Sequence, residues 1–507
     1  MRCLAAGVAV LVGAAAACTQ LIGAEQPIET FGSPSDASAE GSSDAGLHAF
    51  TSGSRLRARV LDGGSGAAVQ TGWFDTQLGV ACDFTTAHDG KLRCLPNDSS
   101  TSTFSDGACT QPVVPLYGDE CPGSLPKYVQ VTVSGPSCAP PSTAIYPLGS
   151  GGPQAPVALA EGLLGGMGGE CAAVTPDPSS PSMVIALAPE LPPSTFVAAT
   201  TTSVVAYGDG KLAVRMLVAD DGATRILSVV DGPSRKDCNW LDPGYVPGYA
   251  NRCIAGDVGY AWPLYSDPQC SIASTAIALA LYGCDAGLPP FAVVATSTGG
   301  CTSSSALASV GSLSNAPDLF SDISGQCSPE PDAGGIAPVA ALAPPNPGAF
   351  QTVPSMNVGS GRLRVPSLVD PTGAPLVPSP TASATFMDTE LGVGCNPMPF
   401  ADGTRCVPIG TPSTFPVFAD AACSQPILGW TASSCAPGPT PTAIVVSDTC
   451  QGGSAPYRVY RPGAPLSPST TYAPYGTSCI SIGASGTYFE ALPADDTAWA
   501  PLTLVTE

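Results

Sequence analysis

Short runs of apolar residues that alternate with polar ones recur about every 12 residues along the chain. Gly, Pro, Asn and Asp separate these runs, a pattern that is typical of β-strands joined by turns. In the first third of the chain it predicts the strands Arg55–Leu61, Tyr128–Val133, Thr143–Leu148 and Met183–Ala188. The stretch AHDGKLRC contains an Asp-Gly pair, which indicates a tight hairpin turn between Cys82 and Cys94.

One Ala-rich stretch, STAIALALYGC, is compatible with a helix when it is taken alone. It aligns with VVPLYGDEC earlier in the chain and with ILGWTASSC later, both of which favour a strand. The alignment therefore predicts a strand here as well. The density of Pro, 55 residues, also leaves no long uninterrupted stretch for a helix.

These alignments follow from a long internal repeat. The phrase FSDGACTQP at 104–112 returns as FADAACSQP at 418–426, with six of nine residues identical. Eighteen cysteines fall into three sets of six whose spacings match, offset from the first set by 156–163 and 308–314 residues. The sets are Cys82, Cys94, Cys109, Cys121, Cys138 and Cys171; Cys238, Cys253, Cys270, Cys284, Cys301 and Cys327; and Cys395, Cys406, Cys423, Cys435, Cys450 and Cys479.

The predicted fold is all-β, with three repeats of about 150 residues each at 53–206, 207–357 and 358–507. The even spacing of the turns favours a propeller-like array of small antiparallel sheets stapled by disulfides. Three tandem β-sandwich domains are the alternative.

Cysteines in an exported, Gly-rich chain indicate disulfides, because the sequence has no Cys-x-x-Cys pair and only two histidines to support a zinc site. Six cysteines allow 15 connectivities. We expect pairing in sequence order, first with second, third with fourth and fifth with sixth, because a hairpin places the first two opposite one another.

Two aspartates keep the same place in every repeat, one seven residues before the first cysteine and one three residues before the third. They are Asp75, Asp231 and Asp388, and Asp106, Asp267 and Asp420. Each stands nearly alone in the sequence, and Asp388 is the one with a second carboxylate, Glu390, within two residues, so an acceptor for backbone N–H groups in a turn is the favoured interpretation. Calcium binding is the alternative. We predict no metal and no cofactor.

The N-terminus is predicted to be an export signal at 1–17, with Arg2 before a short apolar stretch. Its end, Ala15 to Cys18, resembles a bacterial lipobox, which implies that Cys18 carries lipid and that Thr19 favours the outer membrane. Ala15 departs from the usual Leu, so cleavage without lipidation is the alternative. Residues 18–52 then read as a lipidated N-terminus and a flexible acidic tether.

Charge and motifs exclude several function classes. With 40 acidic residues against 18 basic ones, nucleic-acid binding is not expected. Arg55, Arg57 and Arg59 alternate, which is typical of the solvated face of a strand. The sequence contains no Gly-x-Ser-x-Gly motif, no dinucleotide fingerprint and no phosphate loop, and neither His48 nor His88 recurs between repeats. A carboxylate pair assembled in space would leave no such motif.

The segments DTELGVGC, RCVP and FADAACSQP together resemble a cysteine-rich repeat of exported proteins and lipoproteins of myxobacteria. The resemblance covers nearly the whole mature chain and implies an envelope location without any site residue.

The sequence thus predicts an exported, membrane-anchored, non-enzymatic scaffold that binds an extracellular or envelope ligand. The location is the outer membrane or cell surface, with a periplasmic or secreted protein as the alternative. Two other functions stay open, namely an exported carbohydrate-active enzyme that uses paired carboxylates and a purely structural envelope protein.

Overall fold

The computed structural model describes residues 49–106, 108–116, 125–133, 141–153, 160–162, 171–173, 183–207, 211–241, 246–280, 288–297, 303–313, 319–323, 326–329, 336–369, 375–379, 384–409, 411, 413–414, 417–430, 443–447, 457–475, 478–483, 487–495 and 497–507. Within these residues the chain is all-β, and its helices are two single 3-10 turns, Pro193–Thr195 and Pro347–Ala349. The predicted signal and Cys18 lie outside the described residues. We name the three repeats units 1, 2 and 3.

The predicted tether ends in a strand, β1 (Phe50–Thr51). Unit 1 contributes β2 (Leu56–Asp62), β3 (Ala68–Asp75), β4 (Val80–Thr86), β5 (Leu92–Pro96), β6 (Ser100–Thr101), β7 (Thr103–Phe104), β8 (Val113–Leu116), β9 (Tyr128–Val133), β10 (Ser142–Pro147), β11 (Ala160–Gly162), β12 (Cys171–Ala173), β13 (Met183–Ala186) and β14 (Ala198–Tyr207).

Unit 2 contributes β15 (Leu212–Ala219), β16 (Thr224–Asp231), β17 (Cys238–Asn239), β18 (Arg252–Ala255), β19 (Val258–Tyr265), β20 (Ala273–Ala280), β21 (Phe291–Ser297), β22 (Ser303–Leu313), β23 (Phe320–Ile323), β24 (Gln326–Pro329), β25 (Ile336–Leu342), β26 (Gln351–Thr352) and β27 (Ser355–Val358).

Unit 3 contributes β28 (Leu363–Val369), β29 (Pro375–Pro378), β30 (Phe386–Asp388), β31 (Val393–Phe400), β32 (Gly403–Pro408), β33 (Ser413–Thr414), β34 (Val417–Phe418), β35 (Pro426–Trp430), β36 (Ile444–Ser447), β37 (Tyr457–Leu466), β38 (Tyr472–Tyr475), β39 (Ser478–Ser481), β40 (Thr487–Pro493) and β41 (Pro501–Thr506).

The strand predictions are confirmed within two residues at their ends for β2, β9, β10 and β13. The described part of the Ala-rich stretch lies in strand β20, as the alignment predicted, and the Asp-Gly pair turns the chain between β4 and β5. The all-β class is confirmed too, as an array of small sheets with disulfides.

Five strands of each unit form an antiparallel ladder, which we call the frame. It runs β2-β3-β4-β5-β14 in unit 1 and β28-β30-β31-β32-β41 in unit 3. In unit 2 it runs β15-β16-β17-β18-β26, with β16 and β17 joined through a bridge between Val230 and Asp237. The units therefore share one frame topology.

The frame is continuous from unit to unit. β14 pairs with β15, and β27, which follows β26, pairs with β28. The C-terminal strand β41 pairs with β2, with Val505 opposite Val60, so the ladder returns to its beginning. The two ends of the chain thus make the contact that successive units make elsewhere.

Three cores of the frame are each shared between two units. Leu56 and Trp73 of unit 1 pack with Leu217 and Ala219 of unit 2. The other two cores join unit 2 to unit 3 and unit 3 to unit 1, through Val214, Ile226, Leu368 and Leu376 and through Leu363, Phe386, Leu61 and Ala67. Because each of these three cores draws on two units, the units are not separate sandwich domains. Other cores, between a frame and the strands inserted into it, lie within one unit.

The alternation of residues in β2 explains which face of the frame is buried. Leu56, Ala58 and Val60 are almost completely buried, while Arg57 between them is exposed. Opposite Arg59 stands Gly72, whose φ is 154°. This φ is strained for any other residue, and a Cβ there would lie 2.9 Å from the Asp83 carboxylate, so both the backbone and the polar face favour glycine.

A small barrel is inserted before the last frame strand in units 2 and 3. In unit 2 five strands close in the order β19-β20-β25-β22-β21, with β21 parallel to β19. Unit 3 repeats this order with β34-β35-β40-β37-β36, and its first strand is divided into β33 and β34. A hairpin, β23-β24 or β38-β39, extends from each of these two barrels.

Candidate functional site

The first repeated aspartate of units 1 and 3 is fully buried and forms an ion pair that the sequence did not reveal. Arg55 donates from Nε and Nη2 to the Asp75 carboxylate at 2.8 and 2.7 Å. Arg362 makes the same contact with Asp388, at 3.0 and 2.8 Å. Both carboxylates have no exposed side-chain surface, whereas the two guanidinium groups are about a quarter exposed.

These carboxylates also cap a turn, as predicted. Asp388 Oδ1 accepts from the backbone N–H groups of Glu390 and Leu391, and Asp75 Oδ1 accepts in the same way. Burial alone raises the pKa of Asp388, but the hydrogen bonds from Arg362 and the two amides outweigh it, so its pKa lies below the usual value. In unit 2 the half-buried Asp231 accepts from the Ser234 amide.

The second repeated aspartate caps an exposed turn that contains the third cysteine. Asp420 accepts from the amides of Ser424 and Gln425 at 3.0 and 2.7 Å and from the Ser424 hydroxyl at 2.7 Å. These hydrogen bonds, led by that hydroxyl, lower the pKa of Asp420. Asp106 and Asp267 make equivalent bonds.

The third cysteine itself adopts a left-handed backbone in every unit. Its φ is 51° at Cys109, 51° at Cys270 and 50° at Cys423. A non-glycine residue rarely holds this conformation, so the surrounding turn must stabilise it. The amide of each cysteine donates to the aspartate carbonyl three residues before it, at 3.1 Å.

The disulfides correct part of the predicted pairing. The first and second cysteines pair as expected, in Cys82–Cys94, Cys238–Cys253 and Cys395–Cys406. The third does not pair with the fourth in units 2 and 3, where it pairs with the sixth, in Cys270–Cys327 and Cys423–Cys479. Pairing in sequence order is therefore wrong there, because the hairpin that carries the sixth cysteine places that cysteine next to the carbonyl of the aspartate turn. The fourth and fifth cysteines lie outside the described residues.

Arginines directly before the second cysteine are a further repeated feature that the sequence reasoning missed. Their guanidinium groups donate to the carbonyl of the aromatic residue just before the last frame strand. The contacts are Arg93 to Phe196, Arg252 to Phe350 and Arg405 to Trp499, at 2.8, 3.1 and 3.5 Å. The recurring Arg-Cys dipeptide was the signal that could have revealed them.

One cleft in unit 1 brings several titratable groups together. It has a volume of about 370 Å³ and is lined by His88, Asp89, Glu190, Leu191, Pro192 and Pro193. His88 Nδ1 lies 3.2 Å from Glu190, and Asp89 pairs with Arg93 at 2.8 Å. The hydrogen bond from Arg93 lowers the pKa of Asp89.

Among the described residues, no three His, Cys, Asp or Glu side chains are grouped so that they could hold a metal ion. In the same part of the chain, no helix has the length and apolar character needed to cross a membrane. Several disulfides in one chain indicate an oxidising environment, outside the cell or in its envelope.

Comparison with known proteins gives a family without an assigned activity. Neither a curated protein nor a solved structure matches the chain. Nothing found links it to myxobacteria or to a cysteine-rich repeat family. The profile of one family matches residues 37–428, which span units 1 and 2 and the first part of unit 3. The match covers more than half of the chain, and the protein therefore belongs to the family of unknown function DUF7481.

Proposed function

We propose that the protein is an exported, membrane-anchored scaffold of the cell envelope that presents binding surfaces and catalyses no reaction. One observation carries the proposal. The polar residues that recur between units, the two aspartates and the arginine before the second cysteine, bond to backbone or to one another within the frame and the turns. The polar residues that recur between units therefore stabilise the fold.

The position of the first described residues, 49–52, supports an anchor near the closure of the frame. The Ser52 hydroxyl donates to the carbonyl of Glu507 at 2.7 Å, and the Glu507 amide donates to Ala58. β1 pairs with β16 of unit 2, with Phe50 opposite Arg225. A tether that precedes residue 49 would therefore join the folded part of the chain next to its C-terminal strand, where the frame closes.

The anchor is tested by detergent partitioning of the full chain, expressed with its own leader in a Gram-negative host. We expect the wild type to enter the detergent phase and Cys18→Ser to stay in the aqueous phase. The matched control is Thr19→Ser, which keeps Cys18 and should partition as the wild type does. Equal aqueous partitioning of wild type and Cys18→Ser would refute lipidation and leave a secreted or periplasmic protein.

An exported carbohydrate-active enzyme is the second candidate, and the His88 cleft is the observation that favours it. Asp89 and Glu190 are two carboxylates in one open cleft. A glycosidase needs one carboxylic acid with a raised pKa as proton donor. Asp89 has the opposite shift, because Arg93 stabilises its charged form, so it does not suit that role.

The two candidates are separated by two measurements on the same protein. A panel of glycosidase substrates should show no turnover, and Glu190→Gln should leave that result unchanged. A glycan array and envelope extracts should reveal binding. Turnover that Glu190→Gln abolishes would establish the enzyme instead, while a deletion strain with a leaky envelope and no detectable ligand would favour a purely structural protein.

A further inference from the structure

The disulfides fall into two classes that differ in exposure and in their order along the chain. The first class, which we call the core disulfides, lies inside the frame, with every cysteine at most 6% exposed. The second class, the outer disulfides, is half-buried at the chain surface. The core disulfides are Cys82–Cys94, Cys238–Cys253 and Cys395–Cys406, and the described outer disulfides are Cys270–Cys327 and Cys423–Cys479.

Core disulfides join cysteines that are neighbours in the cysteine order, so each can form as soon as its hairpin emerges. They span 12, 15 and 11 residues. Outer disulfides span 57 and 56 residues and enclose two further cysteines each. A chain exported from its N-terminus therefore exposes competing partners before the sixth cysteine arrives.

The fourth cysteine, which competes for the third, is close to it in the sequence. Cys284 follows Cys270 by 14 residues, and Cys435 follows Cys423 by 12. Because the probability of closing a flexible loop falls as about the 3/2 power of its length, these short loops close roughly 8–10-fold more often than the native ones. An oxidant that acts on the unfolded chain thus favours third–fourth pairing, which the folded chain does not contain in units 2 and 3.

We propose that the third cysteine of units 2 and 3 is a site of thiol–disulfide exchange, at which a dithiol oxidoreductase of the export compartment converts the short-loop pair into the outer disulfide. A thiolate of the dithiol attacks Sγ of Cys270 in the Cys270–Cys284 bond, and Cys284 leaves as a thiolate. The Cys327 thiolate then attacks Cys270 Sγ and expels the dithiol sulfur. The dithiol returns unchanged, so the exchange needs no oxidant.

The local geometry makes the third cysteine the fixed partner of this exchange. Its turn is held by short-range hydrogen bonds, in which the Ser271 and Ile272 amides donate to the Asp267 carboxylate and the Cys270 amide donates to the Asp267 carbonyl. None of these bonds needs the disulfide. The turn can therefore form in the early chain and present Cys270 before its partner arrives.

The sixth cysteine depends instead on tertiary structure. Cys327 lies in β24, which pairs with β23, and β23 pairs with the barrel strand β19. Its sulfur then lies 3.8 Å from the Asp267 carbonyl, and that of Cys479 lies 3.7 Å from the Asp420 carbonyl. Barrel folding thus selects the native partner once exchange makes the pairing reversible.

The test is oxidative refolding of the full mature chain from its reduced, denatured state. Diamide, which supplies no thiol, is the oxidant, and dithiothreitol is the dithiol probe, with disulfides mapped by peptide mass after alkylation. Without dithiothreitol we expect Cys270–Cys284 and Cys423–Cys435 links in at least severalfold excess over the native outer links. Adding substoichiometric dithiothreitol should convert both, while the core links form equally with and without it.

A variant with an internal control makes the test sharper. Cys284→Ser combined with Cys301→Ser removes the competing cysteines of unit 2, so Cys270–Cys327 should form without dithiothreitol. Unit 3 of the same molecule keeps its competitors and should still need it. The proposal is overturned if the wild type forms the native outer links in equal yield with and without dithiothreitol. It is also overturned if units 2 and 3 of the variant need dithiothreitol to the same extent. The wild-type conversion decides the question if the variant does not fold.

Discussion

The Asp388–Arg362 pair offers a test of how much one buried ion pair contributes to the closed frame. Asp388 has no exposed side-chain surface, and it accepts hydrogen bonds from Arg362 Nε and Nη2 and from two backbone amides. Arg362 also donates to the carbonyl of Ala498, two residues before Ala500 in the frame core. Losing the carboxylate thus disturbs both the turn and the packing of β41 against the frame core.

We expect Asp388→Ala to lower the free energy of unfolding by about 3–4 kcal/mol. Removing one partner of a buried pair typically costs about 3–5 kcal/mol. The lower half of that range applies because the Arg362 side chain is 25% exposed and its charge can reach water. Asp388→Asn keeps an oxygen for the two amides, so we expect it to cost less, about 2 kcal/mol.

The chain supplies its own control. Asp231 occupies the same place in unit 2, is half-buried and accepts from the Ser234 amide. Asp231→Ala should therefore cost about 1 kcal/mol, the typical value for a lost capping oxygen. The measurement is urea unfolding of the oxidised proteins, followed by tryptophan fluorescence and far-UV circular dichroism. An equal cost at both positions would show that the Arg362 pair adds nothing to the cap.

The stabilities of wild type and Asp388→Asn can also be compared as a function of pH. Because the folded-state pKa of Asp388 lies below its unfolded value of about 3.9, its stabilisation is fully present above that value. It is lost as pH falls through the folded pKa. The difference between wild type and Asp388→Asn should thus be constant near neutral pH and shrink below about pH 4. A difference that does not change with pH would contradict the ion pair as its source.

Three further outcomes are expected. Asp420→Ala should lower the melting temperature and loosen the Cys423 turn, whereas a chelator should leave the wild-type melting temperature unchanged; a fall with chelator and a rise with added calcium would instead identify a calcium site. Cys109 is disulfide-bonded, and peptide mapping should link it to Cys171. The reason is that β12, which carries Cys171, pairs with β11 in the way that β24 pairs with β23 in unit 2. A link to the fourth cysteine would contradict the threefold pattern. Leu502→Ala should lower the free energy of unfolding by about 2–4 kcal/mol, because Leu502 is 6% exposed in the core that closes the frame. Its control, Leu504→Ala, should cost less than about 0.5 kcal/mol, because Leu504 is 47% exposed. Equal costs in urea unfolding would contradict closure by β41.

The sequence by itself determined the features that depend on nearby residues. Strand β9 follows from a run of alternating apolar residues, and the hairpin of Cys82 and Cys94 follows from an Asp-Gly turn between them. The aspartate of FADAACSQP caps its own turn through amides four and five residues away. Such contacts need no other part of the chain, so a local pattern that recurs three times was enough to predict them.

Only the tertiary structure decided which distant segments meet. Arg362 lies 26 residues from Asp388, and Cys423 lies 56 residues from Cys479. Val60 and Val505 stand opposite one another at the two ends of the chain, and His88 meets Glu190 across 102 residues. These pairs arise because sheets bury shared apolar faces, and burial depends on surfaces that are assembled from separate units. A spacing rule cannot rank such partners, since several cysteines and carboxylates satisfy it equally until packing selects one.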